Sequence, residues 1–273
     1  MTKGFSASPI ELCKSLRLNR GLIYALVKRE VMVRYRGSIL GLLWALITPV
    51  FLLLVYTFVF SEVFKARWGT EGGSKVEFSL VLFVGLIIFN VLSECINNAP
   101  TRILSNPNYV KKVVFPLEVL PIVTLLSSLF HALISLSVWF GAYAIFLGIP
   151  HGTIVYLPLI ILPYCMLVMG LSLALAASGV FLRDLTQFIN ILTTVAMFMS
   201  PIFYPITALP QNYRYLLYLN PLTFVIEQAR DVLYWGKPPN FIGLGIFGVV
   251  AVIVACLGFS WLQKTRKGFS DVL

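Results

Sequence analysis

Residues 119–182 contain no Lys, Arg, Asp or Glu, a run of 64 residues without a formal charge. A helix that crosses a bilayer needs ~20 apolar residues, so this run is long enough for two crossings. Gly148, Pro150 and Gly152 in its middle supply a turn between them. Over the whole chain 12% of residues are charged, against ~25% in soluble domains. The chain is therefore predicted to be an integral membrane protein.

Charge-poor apolar windows predict six crossings in all. They cover residues 38–60, 78–96, 119–147, 153–182, 185–200 and 241–262. An even number of crossings puts both termini on one side, and the segments on that side carry 15 basic residues against 6 on the other. Basic residues collect in cytoplasmic loops, so both termini are predicted to be cytoplasmic.

These windows predict one all-α membrane domain over residues 1–273. A cytoplasmic segment (1–37) precedes the six spans (38–262), and a cytoplasmic tail (263–273) follows them. The net charge of +10 reflects this inside-positive bias and anionic headgroups rather than binding to nucleic acid.

The segment 21–37 mixes apolar and basic residues. This pattern favours an imperfectly amphipathic helix on the cytoplasmic membrane surface. Its candidate contact residues are Arg29, Arg34, Tyr35 and Arg36. A generic membrane anchor is the alternative interpretation.

The cytoplasmic loop 97–118 is predicted to contain a short helix, with Asn106 near its cap and Pro107 in its first turn. Two lysines and exposed apolar side chains would make this helix a docking surface for a cytosolic partner. The candidate residues are Asn106, Pro107, Tyr109, Val110, Lys111, Lys112 and Phe115. A solvated loop that merely obeys the inside-positive bias is the alternative.

The segment 201–236 is apolar but interrupted by prolines, which prevents a single helix. We expect a re-entrant pair of half-helices that caps a pathway on the outer side, because non-helical backbone at membrane depth needs cover from protein or water. The candidate gate residues are Pro201, Tyr204, Pro205, Pro210, Tyr215, Asn220 and Pro221. A surface hairpin is the alternative.

Several aromatic residues lie within the predicted spans. Aromatic faces bind the apolar faces of sugar rings, so some of these side chains are candidates to line a channel. They are Trp44, Tyr56, Phe60, Trp139 and Tyr143. A lipid-facing belt is the alternative.

The sequence contains no nucleotide-binding or catalytic motif. The nearest approach to a P-loop starts at Gly258 but has Gln263 in place of the second glycine. The His and Cys residues form no metal-ligand pattern, so no metal or cofactor is expected on this chain. Ion-coupled transport usually needs acidic residues inside the membrane, and the centres of the predicted spans contain none. Energy for transport would therefore come from a partner protein.

A membrane-embedded enzyme and a structural scaffold are the alternative functional classes.

Several motifs identify a family. They are residues 34–49 (RYRGSILGLLWALITP), Asn106-Pro107, Lys111-Lys112, 115–118 (FPLE), Leu120-Pro121, 183–185 (RDL), 200–205 (SPIFYP) and 219–222 (LNPL). Together they resemble the type-2 ABC exporter permeases of bacterial polysaccharides, which include O-antigen and teichoic-acid exporters.

The resemblance implies a half-transporter in the bacterial inner membrane. Two copies would form a homodimer around a channel, driven by two copies of a cytosolic ATP-binding cassette subunit that binds ATP and Mg. The cargo would be a lipid-linked polysaccharide, with O-antigen as the first candidate. Teichoic acid, capsular polysaccharide, a lipid and a drug are the alternative cargoes. The resemblance assigns the surface helix and the loop 97–118 to the ATPases, and the segment 201–236 to an extracytoplasmic gate. Independently of the resemblance, Arg34, Arg36 and Arg183 are candidates to attract the pyrophosphate of the lipid carrier near the cytoplasmic face, and contact with the membrane surface is the alternative.

Overall fold

The computed structural model describes residues 9–60, 75–111 and 115–272. Within these ranges the regular secondary structure is helical, with no strand, which confirms the prediction of an all-α membrane protein. Two helices precede the first apolar segment, α1 (Pro9–Leu18) and α2 (Arg20–Arg34). α2 coincides with the predicted surface helix, whereas α1 was not anticipated.

The middle of the chain forms three long helices, a shorter apolar helix and a five-residue helix. They are α3 (Trp44–Phe58), α4 (Lys75–Arg102), α5 (Pro107–Lys111), α6 (Val119–Phe146) and α7 (Leu157–Phe181). Short 3₁₀ turns, Gly41–Leu43 and Gly152–Tyr156, lead into α3 and α7. Each turn lengthens the apolar segment that follows it.

The last third of the chain begins with shorter helices. They are α8 (Leu185–Phe198), α9 (Gln211–Leu219), α10 (Pro221–Leu233), α11 (Phe241–Thr265) and α12 (Phe269–Val272). Of these, α11 is long and apolar enough to span a membrane.

In the described part of the chain, five helical segments are long and apolar enough to cross a membrane. They agree closely with the predicted spans except that α4 continues past Ile96 to Arg102. Pro100 removes one backbone donor there, but Asn98 and Thr101 side chains donate to carbonyls of the last turns, which supports the helix. The predicted fifth span corresponds to α8, whose 14 residues extend only ~21 Å.

Two apolar clusters divide the bundle along its length. The larger one is centred on α4, whose residues Phe78 to Leu92 are buried with the single exception of Asn90. The smaller cluster joins α2 to the ends of α4, α6, α7 and α11 that carry most basic residues. We call this second region the basic end of the bundle, and the other the opposite end.

The first and last described helices of the chain lie at the basic end. Ser15 of α1 donates to Glu118 at 2.6 Å, and Arg266, which follows α11, donates to the carbonyl of Phe115 at 2.6 Å. Five described segments are long enough to span a membrane, so the assignment of α8 to the fifth of six crossings stays a prediction.

The most extensive contact between two helices joins α7 to α11. At their crossing a Cβ on Gly258 would lie 2.0 Å from the carbonyl oxygen of Gly170, and a Cβ on Gly170 would lie 2.6 Å from the backbone of Ala255. Small residues allow this close approach, as is common between membrane helices. The α7–α11 pair is therefore fixed by backbone-to-backbone contact.

We predict that Gly258→Ala destabilises the protein, because the added methyl group forces α7 and α11 apart. Overpacking of this kind costs about 1–3 kcal/mol. The measurement is the temperature at which half of the detergent-purified protein aggregates. Gly245→Ala, in the same helix with open space around its Cβ, is the matched control; equal aggregation temperatures for the two variants would contradict the close crossing.

Candidate functional site

Two ion pairs attach α2 to α4. Arg34 donates to Glu94 at 2.7 Å, and Arg102 pairs with Glu30. Next to the first pair, the hydroxyl of Tyr35 lies 3.3 Å from Nδ1 of His131 in α6. The C-terminal end of α2 is therefore held against both α4 and α6.

The apolar face of α2 packs partly on protein. Ile23 and Leu26 are buried in the cluster at the basic end, whereas Tyr24, Met32 and Val33 are exposed. The helix thus has apolar surface left for a membrane or a partner. Of the predicted contact residues, Arg29 and Arg36 are also exposed.

The short helix α5 begins at Pro107, as predicted, and its Tyr109 amide donates to the Asn106 carbonyl at 3.1 Å. The ring of Tyr109 stacks on that of Phe115 with 4.3 Å between centroids. The expectation that Phe115 is exposed is wrong, because its side chain is 6% exposed and belongs to the apolar cluster at the basic end. Phe115 thus anchors the loop instead of presenting a docking surface.

The backbones of Val110 and Lys111 lie in α5. Their side chains, and all of Lys112, fall outside the described residues. Pro107 and Asn108 are exposed at the surface of α5, so this helix still presents a face to solvent.

Sequence reasoning missed a polar contact that joins the loop after α5 to both ends of the chain. Glu118, buried at the start of α6, accepts from Ser15 at 2.6 Å and lies 3.7 Å from Arg266. The other nitrogen of the Arg266 fork donates to the Phe115 carbonyl at 2.6 Å. One carboxylate and one guanidinium thereby connect α1, α6 and the end of α11 to the segment that carries α5.

The segment predicted as a gate folds into two helices, α9 and α10, separated by Asn220. The Asn220 side chain caps α10 by accepting from the Leu222 amide at 3.0 Å, and it donates to Ser200 at 2.8 Å. Pro221 occupies the first turn of α10, where proline is favoured. Two helices with an extended residue between them agree with a half-helix pair; their depth in a membrane stays a prediction.

The other candidate gate residues take several positions. Pro201 is buried, and its carbonyl accepts from Arg230. Tyr204 donates to the Phe198 carbonyl at 2.7 Å. Pro205 and Pro210 flank the turn before α9, on which Tyr215 is exposed.

Arg230 of α10 is the main polar residue that the sequence did not single out. Its side chain is 1% exposed and donates to three carbonyls: Val81 of α4 at 3.0 Å, Pro201 at 2.6 Å and Ile202 at 3.0 Å. It also pairs with Glu227 at 2.9 Å. Burial lowers the pKa of Arg230 to about 10, so the guanidinium remains charged at neutral pH.

The candidate channel aromatics separate into two groups. Trp44 is exposed, and Phe60 stacks on Phe203 with 5.7 Å between centroids; Tyr56 is partly buried beside it. The expectation that Trp139 and Tyr143 line a channel is wrong for this conformation, because both are buried in the core of the bundle. The indole nitrogen of Trp139 donates to the Leu80 carbonyl at 3.0 Å, which gives this side chain a structural role.

A cavity of about 510 Å³ lies between α3, α4 and α6 and is bordered by Arg34 and Tyr35 at the C-terminal end of α2. Its polar lining includes Arg34, Thr48, Asn90, Glu94, Asn97 and His131. Most of these residues lie on helices that are otherwise apolar. The cavity could have been suspected from the isolated Asn90 and Glu94 in the second predicted span.

The comparisons with known proteins extend over nearly the whole chain. Residues 21–234 match the model of the ABC-2 type transporter family. The O-antigen export system permease protein RfbA of Myxococcus xanthus is 28% identical over 269 residues, covering 96% of this chain and 99% of the relative. A protein of the same name from Klebsiella pneumoniae is 24% identical, covering 92% and 95%. The polysialic acid transport protein KpsM of Escherichia coli is 26% identical, covering 90% and 93%.

We predict that Arg230→Met destabilises the protein strongly, since three carbonyls and Glu227 lose their buried donor. Each buried acceptor left without a donor costs about 1–3 kcal/mol. Arg230→Lys should recover only part of the loss because an ammonium group lacks the planar fork. The measurement is again the aggregation temperature in detergent. Arg183→Met, at an exposed position, is the control, and a similar temperature for both Met variants would refute the structural role of Arg230.

Proposed function

The chain belongs to the ABC-2 type transporter family. We propose that it is the membrane-spanning permease subunit of an exporter of lipid-linked polysaccharide, with O-antigen as the first candidate cargo. The observation that carries this proposal is the near-complete alignment with permeases named for O-antigen export. Capsular polysaccharide is the second candidate cargo, because relatives named for polysialic acid transport align over a similar length. Teichoic acid and lipid or drug cargoes are the remaining alternatives.

The energy for export would come from a separate subunit. The sequence has no P-loop, so ATP and Mg would be bound by two copies of a cytosolic ATP-binding cassette protein. The exposed faces of α5 and α2 are the proposed contact surfaces. A displacement of α5 would reach α6 and α11 through Glu118 and Arg266, and a displacement of α2 would reach α4 through Arg102 and Glu30.

The basic end of the bundle would face the cytoplasm, in agreement with the inside-positive rule. This orientation would put both termini in the cytoplasm of a bacterium, with the chain in the inner membrane. Six crossings then follow if α8 and the residues after it complete the fifth. At the basic end Arg34 is already neutralised by Glu94, so the exposed Arg29 and Arg36 are better placed to attract the phosphates of lipid headgroups or of the carrier.

A homodimer would enclose the channel. The segment from α8 to α10 would close its outer side, held to α4 by Arg230. Asn220 and Arg230 bind α10 to residues 200–202 after α8, so this segment would move as a unit. Its hydrogen bond to Val81 of α4 would break on opening. Trp44, Tyr56 and Phe60 remain candidate contacts for sugar rings.

Deletion of the gene tests the function directly. We expect the deletion strain to lack surface polysaccharide and to accumulate lipid-linked polymer on the cytoplasmic side of its inner membrane. Restoring the gene should reverse both effects, whereas restoring it beside an ATPase subunit inactivated in its P-loop should not. Unchanged surface polysaccharide, or export by the purified permease alone, would overturn the proposal.

We predict that Asn108→Trp weakens binding of the ATPase subunit, because a large ring on the exposed face of α5 obstructs the proposed contact. The measurement is the amount of ATPase subunit that co-purifies with the permease, together with the aggregation temperature, which should stay unchanged. Asn212→Trp, on the exposed surface of α9, is the control and should retain the partner. Normal co-purification of the Asn108 variant would argue against docking at α5.

A further inference from the structure

One exposed face of α11 changes in character along its length. Residues spaced three or four apart are neighbours on a helix surface, and this spacing joins four aliphatic residues to an aromatic and a basic residue. They are Ile246, Val250, Ile253, Leu257, Trp261 and Lys264, and all six are exposed on the surface of the bundle. Because α11 is long and apolar enough to span a membrane, this face is available to lipid.

The aromatic residue of this face is fixed across the joint between two helices. The indole nitrogen of Trp261 donates to the hydroxyl of Ser178 in α7 at 3.0 Å, so the ring bridges α11 and α7 while it stays exposed. Tryptophan is enriched at the depth where the hydrocarbon of a bilayer meets the headgroups. Trp261 therefore marks that depth at the basic end of the bundle.

Most of the charged residues around Trp261 are basic. Lys264 follows it on the same face of α11, and Arg183 follows the end of α7, the helix that Trp261 contacts. Both basic side chains are exposed, and neither belongs to an ion pair among the residues that the structure describes. Lys267 adds a third exposed basic residue and Asp184 one exposed acidic residue. This flank of the bundle therefore carries a net positive charge.

The order of apolar, aromatic and basic groups along the face matches the order of groups in a phospholipid. The aliphatic stretch from Ile246 to Leu257 extends about 17 Å at the rise of an α-helix, close to the ~15 Å thickness of one hydrocarbon leaflet. An acyl chain can lie along it, with the glycerol at Trp261 and the phosphate beside Lys264 and Arg183. Basic sites between membrane helices at the cytoplasmic side favour anionic headgroups.

The same charges argue against a second copy of the chain as the occupant of this face. A two-fold interface brings the same patch of both subunits together, so Lys264 and Arg183 would face their own equivalents. Like charges placed opposite each other weaken an interface. The phosphate of a lipid supplies the missing negative charge instead.

We infer that this face of α11, together with Arg183, is a binding site for an anionic phospholipid of the bilayer. Lys264 and Arg183 bind the phosphate, and Trp261 lies against the glycerol region. The inference goes beyond the proposed function, because it does not depend on which cargo is exported. It adds a lipid ligand to the closely packed pair of α7 and α11.

The fluorescence of Trp261 reports which lipid lies on this face. The full-length permease and its Trp261→Phe variant are reconstituted in liposomes of phosphatidylcholine and phosphatidylglycerol, in which one lipid at a time carries bromine near the top of its acyl chains. Bromine quenches only the indoles that it can touch, so the difference between the two proteins isolates Trp261. We expect stronger quenching by the brominated anionic lipid than by brominated phosphatidylcholine at equal mole fractions.

Charge variants test which residues produce this preference. Lys264→Gln combined with Arg183→Gln should abolish it, so that both lipids quench Trp261 equally, whereas Lys264→Arg should retain it. Arg20→Gln combined with Lys28→Gln is the matched control, because it removes the same charge from exposed positions on α2, and it should also retain the preference. Lys264→Gln alone provides the measurement if the double variant does not fold.

Equal quenching by the two lipids in the unchanged permease would overturn the inference. A preference that survives the loss of both Lys264 and Arg183 would do the same. An absence of quenching by either lipid would also overturn it, because protein, such as a second copy of the chain, would then cover this face. Since none of these measurements depends on export, failure of the proposed function in the deletion strain is distinguishable from failure of the lipid site.

Discussion

Arg230 holds the opposite end of the bundle together through the hydrogen bonds that its guanidinium group donates to three backbone carbonyls. The chain leaves helical geometry after α8, and because Pro201 and Ile202 are buried, their carbonyls need hydrogen-bond donors from within the protein. The guanidinium supplies donors to both of them and to Val81 in α4. A charge that would be costly alone is stabilised by Glu227 and by three carbonyl dipoles. One side chain thus makes an irregular segment compatible with a membrane protein.

At the basic end, buried polar side chains also need partners, and there they form ion pairs between segments that are distant in the sequence. Glu118, Arg266 and Ser15 come from three distant parts of the sequence, and the ion pairs of Arg34 and Arg102 bind α2 to α4. These contacts join the surface elements to the long helices by short, charged links. A force applied to α2 or α5 is therefore received by α4, α6 and α11 together.

Much of the fold was predictable because the spans depend on local composition. Runs without charge located α3, α6, α7 and α11 within a few residues, and Asn106 and Pro107 located α5. What failed depends on tertiary contacts. The burial of Phe115 and Trp139 arises from neighbours far away in sequence, and the partners of Arg230 include a residue 149 positions away. The cavity was also missed, because its walls come from three separate helices and, within the second predicted span, only Asn90 and Glu94 hint at it.

The glycine contact between α7 and α11 has a mechanical consequence. Because Gly258 touches the backbone of Gly170, no side chain or acyl chain can enter between these helices, and they behave as one rigid strut. α3 has few buried residues, and in the described part of the chain its extensive contacts with other long helices are with α4 and α6. A shift of α3 against the bundle therefore disturbs much less packing than a separation of α7 from α11.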